Sequence, residues 1–238
     1  MQKLLLFFLL MVISVDSFSG VDEATYIPPR AFIYKETIRR EIDTYFPEIP
    51  TYSYVPALIE HESCQHLLHK RCWAPDSELL SAREQGAGLL MITRTFNSDG
   101  STRFDVLSDL KAKYRDELKE LSWDNVRLRP DLQIRSGILL LRDNYRRITF
   151  TDDSYVRLHF TDAAYNTGLG NVNKKRRFCG LRADCNPNLW FNHVENECAG
   201  LTKPLYGNRS ACDIVKHHVR DVIFNNLPKY KKYYFSEN

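Results

Sequence analysis

The sequence predicts a mainly helical fold followed by a C-terminal segment that disulfides hold together. Apolar residues recur at helical spacing in several segments between Ala31 and Tyr165. Four of the six cysteines fall after residue 178, among asparagine-rich loops. At 238 residues, the chain is long enough to bury a sizeable core without metal or disulfide support. We therefore expect a main domain over residues 21–175 and a cysteine-containing extension over 176–238.

Residues 1–20 are typical of a secretory signal peptide. Lys3 precedes the apolar run 4–15, and the small or polar residues 17–20 follow it. The run is shorter than the roughly 20 apolar residues that cross a bilayer. We therefore expect an exported protein, periplasmic or secreted. Anchoring by an uncleaved leader is the alternative.

Helices account for most of the predicted main domain. Pro47 and Pro50 end the first helix, and Pro56 suits the first turn of the second. Gly86 and Gly88 predict a turn or a close backbone approach ahead of a short apolar segment. The apolar spacing predicts further helices over 105–121, 132–148, 152–165 and, in the extension, 213–224.

The second helix carries the most informative stretch of the chain, residues 57–63, where a carboxylate follows an apolar run. Helical spacing places Glu62 on the same flank as Leu58 and Ile59. Glu60 is predicted to face solvent. A glutamate packed against apolar side chains has a raised pKa and can act as a general acid near neutral pH. Glu62 is therefore the candidate acid.

Three blocks in this order resemble the catalytic domain of the SLT-type lytic transglycosylases, relatives of goose-type lysozyme. The blocks are residues 57–63 (Ala-Leu-Ile-Glu-His-Glu-Ser), 86–92 (Gly-Ala-Gly-Leu-Leu-Met-Ile) and 163–172 (Ala-Ala-Tyr-Asn-Thr-Gly-Leu-Gly-Asn-Val). The resemblance covers roughly residues 30–175. It implies a lysozyme-like α+β fold, the glycan strands of peptidoglycan as substrate, and no cofactor or metal.

The resemblance also assigns roles to individual residues. Glu62 is the acid and base, and Ser63 accompanies it and orients its backbone. Tyr165 donates a hydrogen bond to the Glu62 carboxyl, and Asn166 lines the same floor.

The middle block supplies the expected sugar contacts. Gly88 lets the backbone approach the sugar, and Leu89 packs behind it. The family usually reads Gly-Leu-Met-Gln here, so Met91 stands where a substrate-binding glutamine is expected.

Two chemistries follow from one acid. A lytic transglycosylase uses the same glutamate as acid and then as base on the muramic acid C6 hydroxyl, which closes a 1,6-anhydro ring. A lysozyme-type muramidase needs a second carboxylate that holds an attacking water. The candidates for that carboxylate are Asp76, Glu78, Glu84, Asp99 and Asp105. A non-catalytic wall-binding or structural protein is a third interpretation.

The six cysteines are expected to pair in an oxidising compartment. Cys64 and Cys72 are the most plausible local pair, and they would pin the loop after Glu62. The other four, Cys179, Cys185, Cys198 and Cys212, would hold the extension together. A zinc site with His193 or His217 is the competing interpretation, although no Cys-x-x-Cys pair is present.

The net charge of +3 is too small to indicate nucleic acid as a partner. The densest basic run is Lys174–Arg177. It fits either a solvated loop or weak electrostatic attraction to an anionic cell wall. The sequence does not indicate an oligomeric state.

Overall fold

The computed structural model describes residues 21–237 as a mixed α+β fold in which about half of the chain is helical. The helices are α1 (Lys35–Tyr45), α2 (Tyr54–Ser63), α3 (Val106–Lys113), α4 (Pro130–Arg147), α5 (Ser154–Thr167), α6 (Leu169–Cys179), α7 (Ala211–Arg220) and the short α8 (Leu227–Tyr230). A 3₁₀ segment, Pro29–Tyr34, precedes α1, and π-helical turns, Asp221–Asn226 and Lys231–Phe235, flank α8.

The helix ends follow ordinary capping chemistry. Asp153 accepts backbone hydrogen bonds from the first turn of α5, and Pro130 begins α4. Ser210 and Asp213 form a reciprocal capping box that starts α7. The predicted helix over 105–121 is too long, because α3 ends at Lys113 and turns follow it.

A four-stranded antiparallel sheet occupies the segment between α2 and α3. Its strands, in the order β1-β2-β3-β4, are Glu78–Leu80, Glu84–Ala87, Ile92–Phe96 and Thr102–Asp105. Gly86 lies within β2 rather than in a turn, whereas Gly88 does lie in the tight connection to β3. The polar residues 97–101 form the turn between β3 and β4. A smaller pair, β5 (Pro204–Tyr206) and β6 (Arg209–Ser210), lies in the C-terminal segment.

Helix α2 lies at the centre of the molecule, and its residues 54–60 are all buried. The turn 221–226 and α8 pack against it. The prediction that Glu60 faces solvent is therefore wrong. Its side chain is 4% exposed, and its carboxylate lies 2.6 Å from Nζ of Lys229 and accepts a 2.8 Å hydrogen bond from Tyr230. Because residues 54–60 of α2 have no side that faces solvent, helical spacing alone could not show that Glu60 is buried.

The C-terminal segment shares one hydrophobic core with the helices before it. Trp73 near the sheet, Trp190 in the loops and Tyr230 in α8 are all buried in the same apolar cluster. Helix α7 packs against α5. The fold therefore brings residues beyond 176 next to α2 and Glu62.

The six cysteines form three disulfides, Cys64–Cys72, Cys179–Cys185 and Cys198–Cys212. The predicted local pair is confirmed, and the zinc interpretation loses its cysteine ligands. Within residues 21–237, no group of three His, Cys, Asp or Glu side chains could hold a metal ion. Disulfides are consistent with an extracytoplasmic location.

Two further expectations concern charge and the membrane. Lys174–Arg177 lies in α6 rather than in a solvated loop, and Lys175 is fully buried within that run. Along the described residues, no helix is both long and apolar enough to cross a bilayer. The predicted signal peptide, residues 1–20, lies outside the described residues.

Candidate functional site

A cleft of about 310 Å³ opens between the end of α2 and the edge of the four-stranded sheet. Its lining comes from α2, the disulfide loop, β1 and the connection between β2 and β3, namely His61, Glu62, Ser63, Cys64, Gln65, His69, Arg71, Ser77, Glu78 and Met91. The Glu62 side chain is 16% exposed here. The structure therefore places the predicted acid at the surface of a cleft.

Glu62 ends a chain of hydrogen-bonded groups that runs into the core. Nε2 of His218 lies 2.9 Å from Oε1 of Glu62, and Nδ1 of the same ring lies 2.9 Å from Oδ2 of Asp162. The Tyr54 hydroxyl donates to the other Asp162 oxygen at 2.6 Å. The Asp162 side chain is fully buried and that of His218 is 2% exposed. The sequence predicts an apolar environment for Glu62, whereas the structure gives it a titratable partner.

Two effects change the pKa of His218 in opposite directions. Burial lowers the pKa of His218, but the charge of Asp162 and the hydrogen bonds to Asp162 and Glu62 raise it to about 10. The ring is therefore an imidazolium at neutral pH. It donates from both nitrogens, one to each carboxylate.

Ser63 orients the chain beyond the acid rather than the acid itself. Its hydroxyl donates to the Ile59 carbonyl at 2.7 Å and accepts the backbone N–H of Trp73 at 3.2 Å. These two bonds, together with the Cys64–Cys72 disulfide, hold the loop that lines the cleft.

Tyr165 lies near the carboxylates, but its hydroxyl donates to the backbone carbonyl of Leu90 rather than to Glu62. That bond joins α5 to the connection between β2 and β3. Burial raises the pKa of Tyr165 well above its usual value, and the charges of Glu62 and Asp162 add to the rise. Asn166 follows on α5 and is exposed to solvent.

The middle block borders the cleft, where Met91 forms part of the wall. Gly88 has a φ of +83°, and a Cβ at this position would lie 2.5 Å from Cδ of Gln133. Gln133 is buried and accepts the Leu89 backbone N–H at 2.8 Å. Leu89 is itself fully buried. Gly88 is therefore required by the close approach of Gln133.

A larger cavity of about 630 Å³ adjoins the cleft and shares His61, Cys64 and Gln65 with it. Nδ1 of His61 lies 2.5 Å from Oδ2 of Asp221. Burial raises the pKa of Asp221, but the hydrogen bonds from His61 and Asn225 outweigh it and lower the pKa to about 2. This contact marks the boundary between the two openings.

Of the carboxylates considered for a second catalytic role, Glu78 lies in the cleft with Glu62. Its oxygens accept hydrogen bonds from Gln85 at 2.9 Å and from Arg127 at 2.8 Å.

The other four have surface or structural positions. Glu84 pairs with Arg83, Asp105 caps α3, Asp99 bonds Ser101 within a turn, and Asp76 is exposed.

Sequence reasoning missed His218, Asp162 and Tyr54. A signal for Asp162 was present, because it lies four residues after the buried Leu158 and three before Tyr165, on the inward face of α5. A carboxylate on a buried helix face needs a charged or hydrogen-bonding partner. The identity of that partner depends on the packing of α7 against α5, which no local pattern indicates.

No protein-family model matches the chain, and no curated protein matches it in sequence. The functional conclusion therefore depends on the geometry of the site and on the sequence motifs.

Proposed function

We propose that the protein is a lytic transglycosylase that cleaves the MurNAc-GlcNAc β-1,4 bond of peptidoglycan. The observation that carries the proposal is the position of Glu62, a carboxyl that is partly exposed in a cleft and hydrogen-bonded at 2.9 Å to a proton-bearing His218. A group that gives and then recovers a proton needs access to substrate and a defined proton partner. Glu62 has both.

The reaction proceeds in two proton transfers at one residue. Glu62 first protonates the departing glycosidic oxygen as the bond to C1 breaks. It then removes the proton of the muramic acid C6 hydroxyl, whose oxygen attacks C1 and closes the 1,6-anhydro ring. No water is consumed, so a second carboxylate is not required.

The lysozyme-type alternative depends on Glu78, because that carboxylate shares the cleft. Both Glu78 oxygens already accept hydrogen bonds, and Arg127 at 2.8 Å stabilises the anion. Because hydrogen bonds already occupy both oxygens, this carboxylate is poorly placed to hold an attacking water. This contact favours the transglycosylase outcome over hydrolysis.

The test is mass spectrometry of the soluble products after purified protein digests peptidoglycan. Glu62→Gln, Glu78→Gln and Glu84→Gln are matched variants, and Glu84 serves as control because it lies on the sheet hairpin beside Arg83. We expect anhydro-muropeptides from the native protein and from the Glu78 and Glu84 variants, and none from Glu62→Gln.

Other outcomes assign other functions. Products with a reducing end that disappear in Glu78→Gln would identify a muramidase. If the native protein releases no products but sediments with peptidoglycan, and Glu62→Gln does the same, the protein is a wall-binding protein.

A further inference from the structure

The Asp162–His218 pair lies behind Glu62, and burying its charged groups costs free energy. Asp162 is fully buried, and His218 is 2% exposed. Removing such charges from water carries a large free-energy penalty, which their mutual attraction must offset. The pair is built from two helices, α5 and α7, and its open end is Nε2, 2.9 Å from Oε1 of Glu62.

The hydrogen bonds fix where protons lie in this chain. Asp162 receives one donor on each oxygen, from Tyr54 at 2.6 Å and from Nδ1 of His218 at 2.9 Å. Nδ1 must therefore carry a proton, and the ring cannot turn without breaking that bond. The second ring proton lies between Nε2 and Glu62.

We propose that Asp162 and His218 are positioning residues that hold Glu62 in place and store the proton that Glu62 delivers to its substrate. This inference rests on the proposed function of Glu62. It adds His218, which lies in the C-terminal segment, to the residues that support the reaction.

The site neither gains nor loses a proton over one turnover. The Nε2–H bond breaks and an O–H bond forms on Glu62, so the imidazolium and the carboxylate both become neutral while Nδ1–H still donates to Asp162. Glu62 gives that proton to the departing oxygen and becomes a carboxylate again. It then takes the C6 hydroxyl proton, which returns to Nε2.

Other titratable groups also face this pair. From α2 they are Tyr54, His61 and Glu62, from α5 they are His159 and Tyr165, and from α7 and the turn after it they are His217 and Asp221. His61 packs its ring 4.3 Å from that of His218, but its own Nδ1 is paired with Asp221. Two buried or half-buried anions at hydrogen-bond distance outweigh this neighbour, so His218 does not lose its proton to solvent at neutral pH.

The test is the pH profile of peptidoglycan cleavage by native protein and by His218→Gln. A glutamine amide can still donate to Glu62 but has no proton to release. At pH 8 we expect kcat to fall about 100-fold or more, with KM changed less than about twofold, because general acid–base steps contribute factors of this size. At pH 5 the loss should be much smaller, because protons from solvent are then more abundant and can replace the one that His218 supplies.

His159→Gln is the matched control. His159 lies on α5, one turn from Asp162, and packs against Phe191 rather than against His218. Its pKa is lowered to about 4 by burial, which outweighs the charges of Asp162 and Asp153, so it is neutral at pH 5 and above. We expect its profile to follow that of the native protein. An equal loss at pH 5 and pH 8 in His218→Gln would show a purely structural role and overturn the proposal.

A second readout does not depend on activity. The ¹⁵N NMR shifts of the His218 ring should show both nitrogens protonated from pH 6 to pH 9, and Asp162→Asn should lower the pH at which one proton is lost. A ring with a single proton at pH 7 would overturn the proton store even if Glu62 proved to be the acid. A doubly protonated ring in a protein that cleaves no glycan would instead overturn the proposed function.

Discussion

Nε2 of His218 lies 2.9 Å from Oε1 of Glu62, although 156 positions separate the two residues in the chain. Helix α7 brings His218 to this place by packing against α5, which supplies Asp162. The site is therefore assembled from the first part of the chain, which carries the motifs, and from the segment beyond residue 176. Changes at His218 should affect both the stability of the fold and the behaviour of Glu62.

The first prediction concerns stability against pH. The pKa of His218 is raised from 6.5 to about 10 in the folded protein, so the folded state binds the proton more tightly than the unfolded state. The stabilisation is present in full below about pH 6.5 and is lost as the pH rises through about 10. The shift corresponds to a contribution on the order of 5 kcal/mol. Urea unfolding of native protein and His218→Gln at pH 6, 8 and 10 should show a difference that shrinks with rising pH.

The native protein and His218→Gln must be compared because the titration of Lys175 changes the stability with pH in the opposite direction. Burial lowers its pKa to about 8, more than the nearby Glu197 and Glu195 charges raise it, so its burial becomes less costly as the pH rises. This change is the same in both proteins and cancels in the difference. A difference that stays constant from pH 6 to pH 10 would contradict the assignment of the charge to His218.

The second prediction concerns the buried ion pair behind the site. Lys229→Met leaves the Glu60 carboxylate buried with the Tyr230 hydroxyl as its remaining donor. Breaking a buried pair costs about 3–5 kcal/mol, and Lys229→Met combined with Glu60→Gln should recover part of that loss.

The pH dependence of this variant has a defined sign. Burial raises the pKa of Glu60, and Lys229 and Tyr230 offset only part of the rise. Its ionisation therefore costs stability as the pH rises above the unfolded value of 4.5, and the cost is larger without Lys229. Urea unfolding should give a larger deficit for Lys229→Met at pH 8 than at pH 5. Equal deficits would mean that the lost packing of the lysine stem accounts for the effect.

The sequence predicted the elements whose signals are local. Helices α4 and α5 carry long apolar stripes, and the predicted ranges agree with them within about two residues. Cys64 and Cys72 are close in sequence, so their pairing could be predicted.

The remaining features depend on tertiary packing. The resemblance implied an α+β fold, but no pattern located the sheet, because its strands are three to five residues long and β2 contains Gly86, so no alternation of useful length is present. Glu60 was misplaced because residues 54–60 of α2 are all buried. His218 and Asp162 meet only through the contact between α5 and α7, which is set by the whole core.

The third prediction separates backbone strain from steric clash at Gly88. Gly88 and Gly100 have almost the same φ, +83° and +81°, but a Cβ at Gly88 would lie 2.5 Å from Gln133 whereas one at Gly100 would meet nothing within 4 Å. Gly100→Ala should cost about 1–2 kcal/mol, the penalty of a left-handed conformation with a Cβ. Gly88→Ala should cost about 1–3 kcal/mol more, because Gln133 must move and release the Leu89 N–H. Similar losses in the two variants, measured by urea unfolding, would argue against the tight contact with Gln133.

The last prediction concerns the Cys64–Cys72 disulfide, which closes the loop that lines both openings. Replacing both cysteines by serine should lower stability by about 2–3 kcal/mol, the entropy of closing a loop of this length. The Cys179–Cys185 bridge has a similar separation, six residues against eight, and lines neither opening, so its removal is the matched control. Both double variants should lose similar stability in urea. Only the first should lose peptidoglycan cleavage at a temperature where both proteins remain folded, because Glu62 and Ser63 directly precede the released loop. Equal activity in the two variants would show that the loop does not take part in holding the substrate.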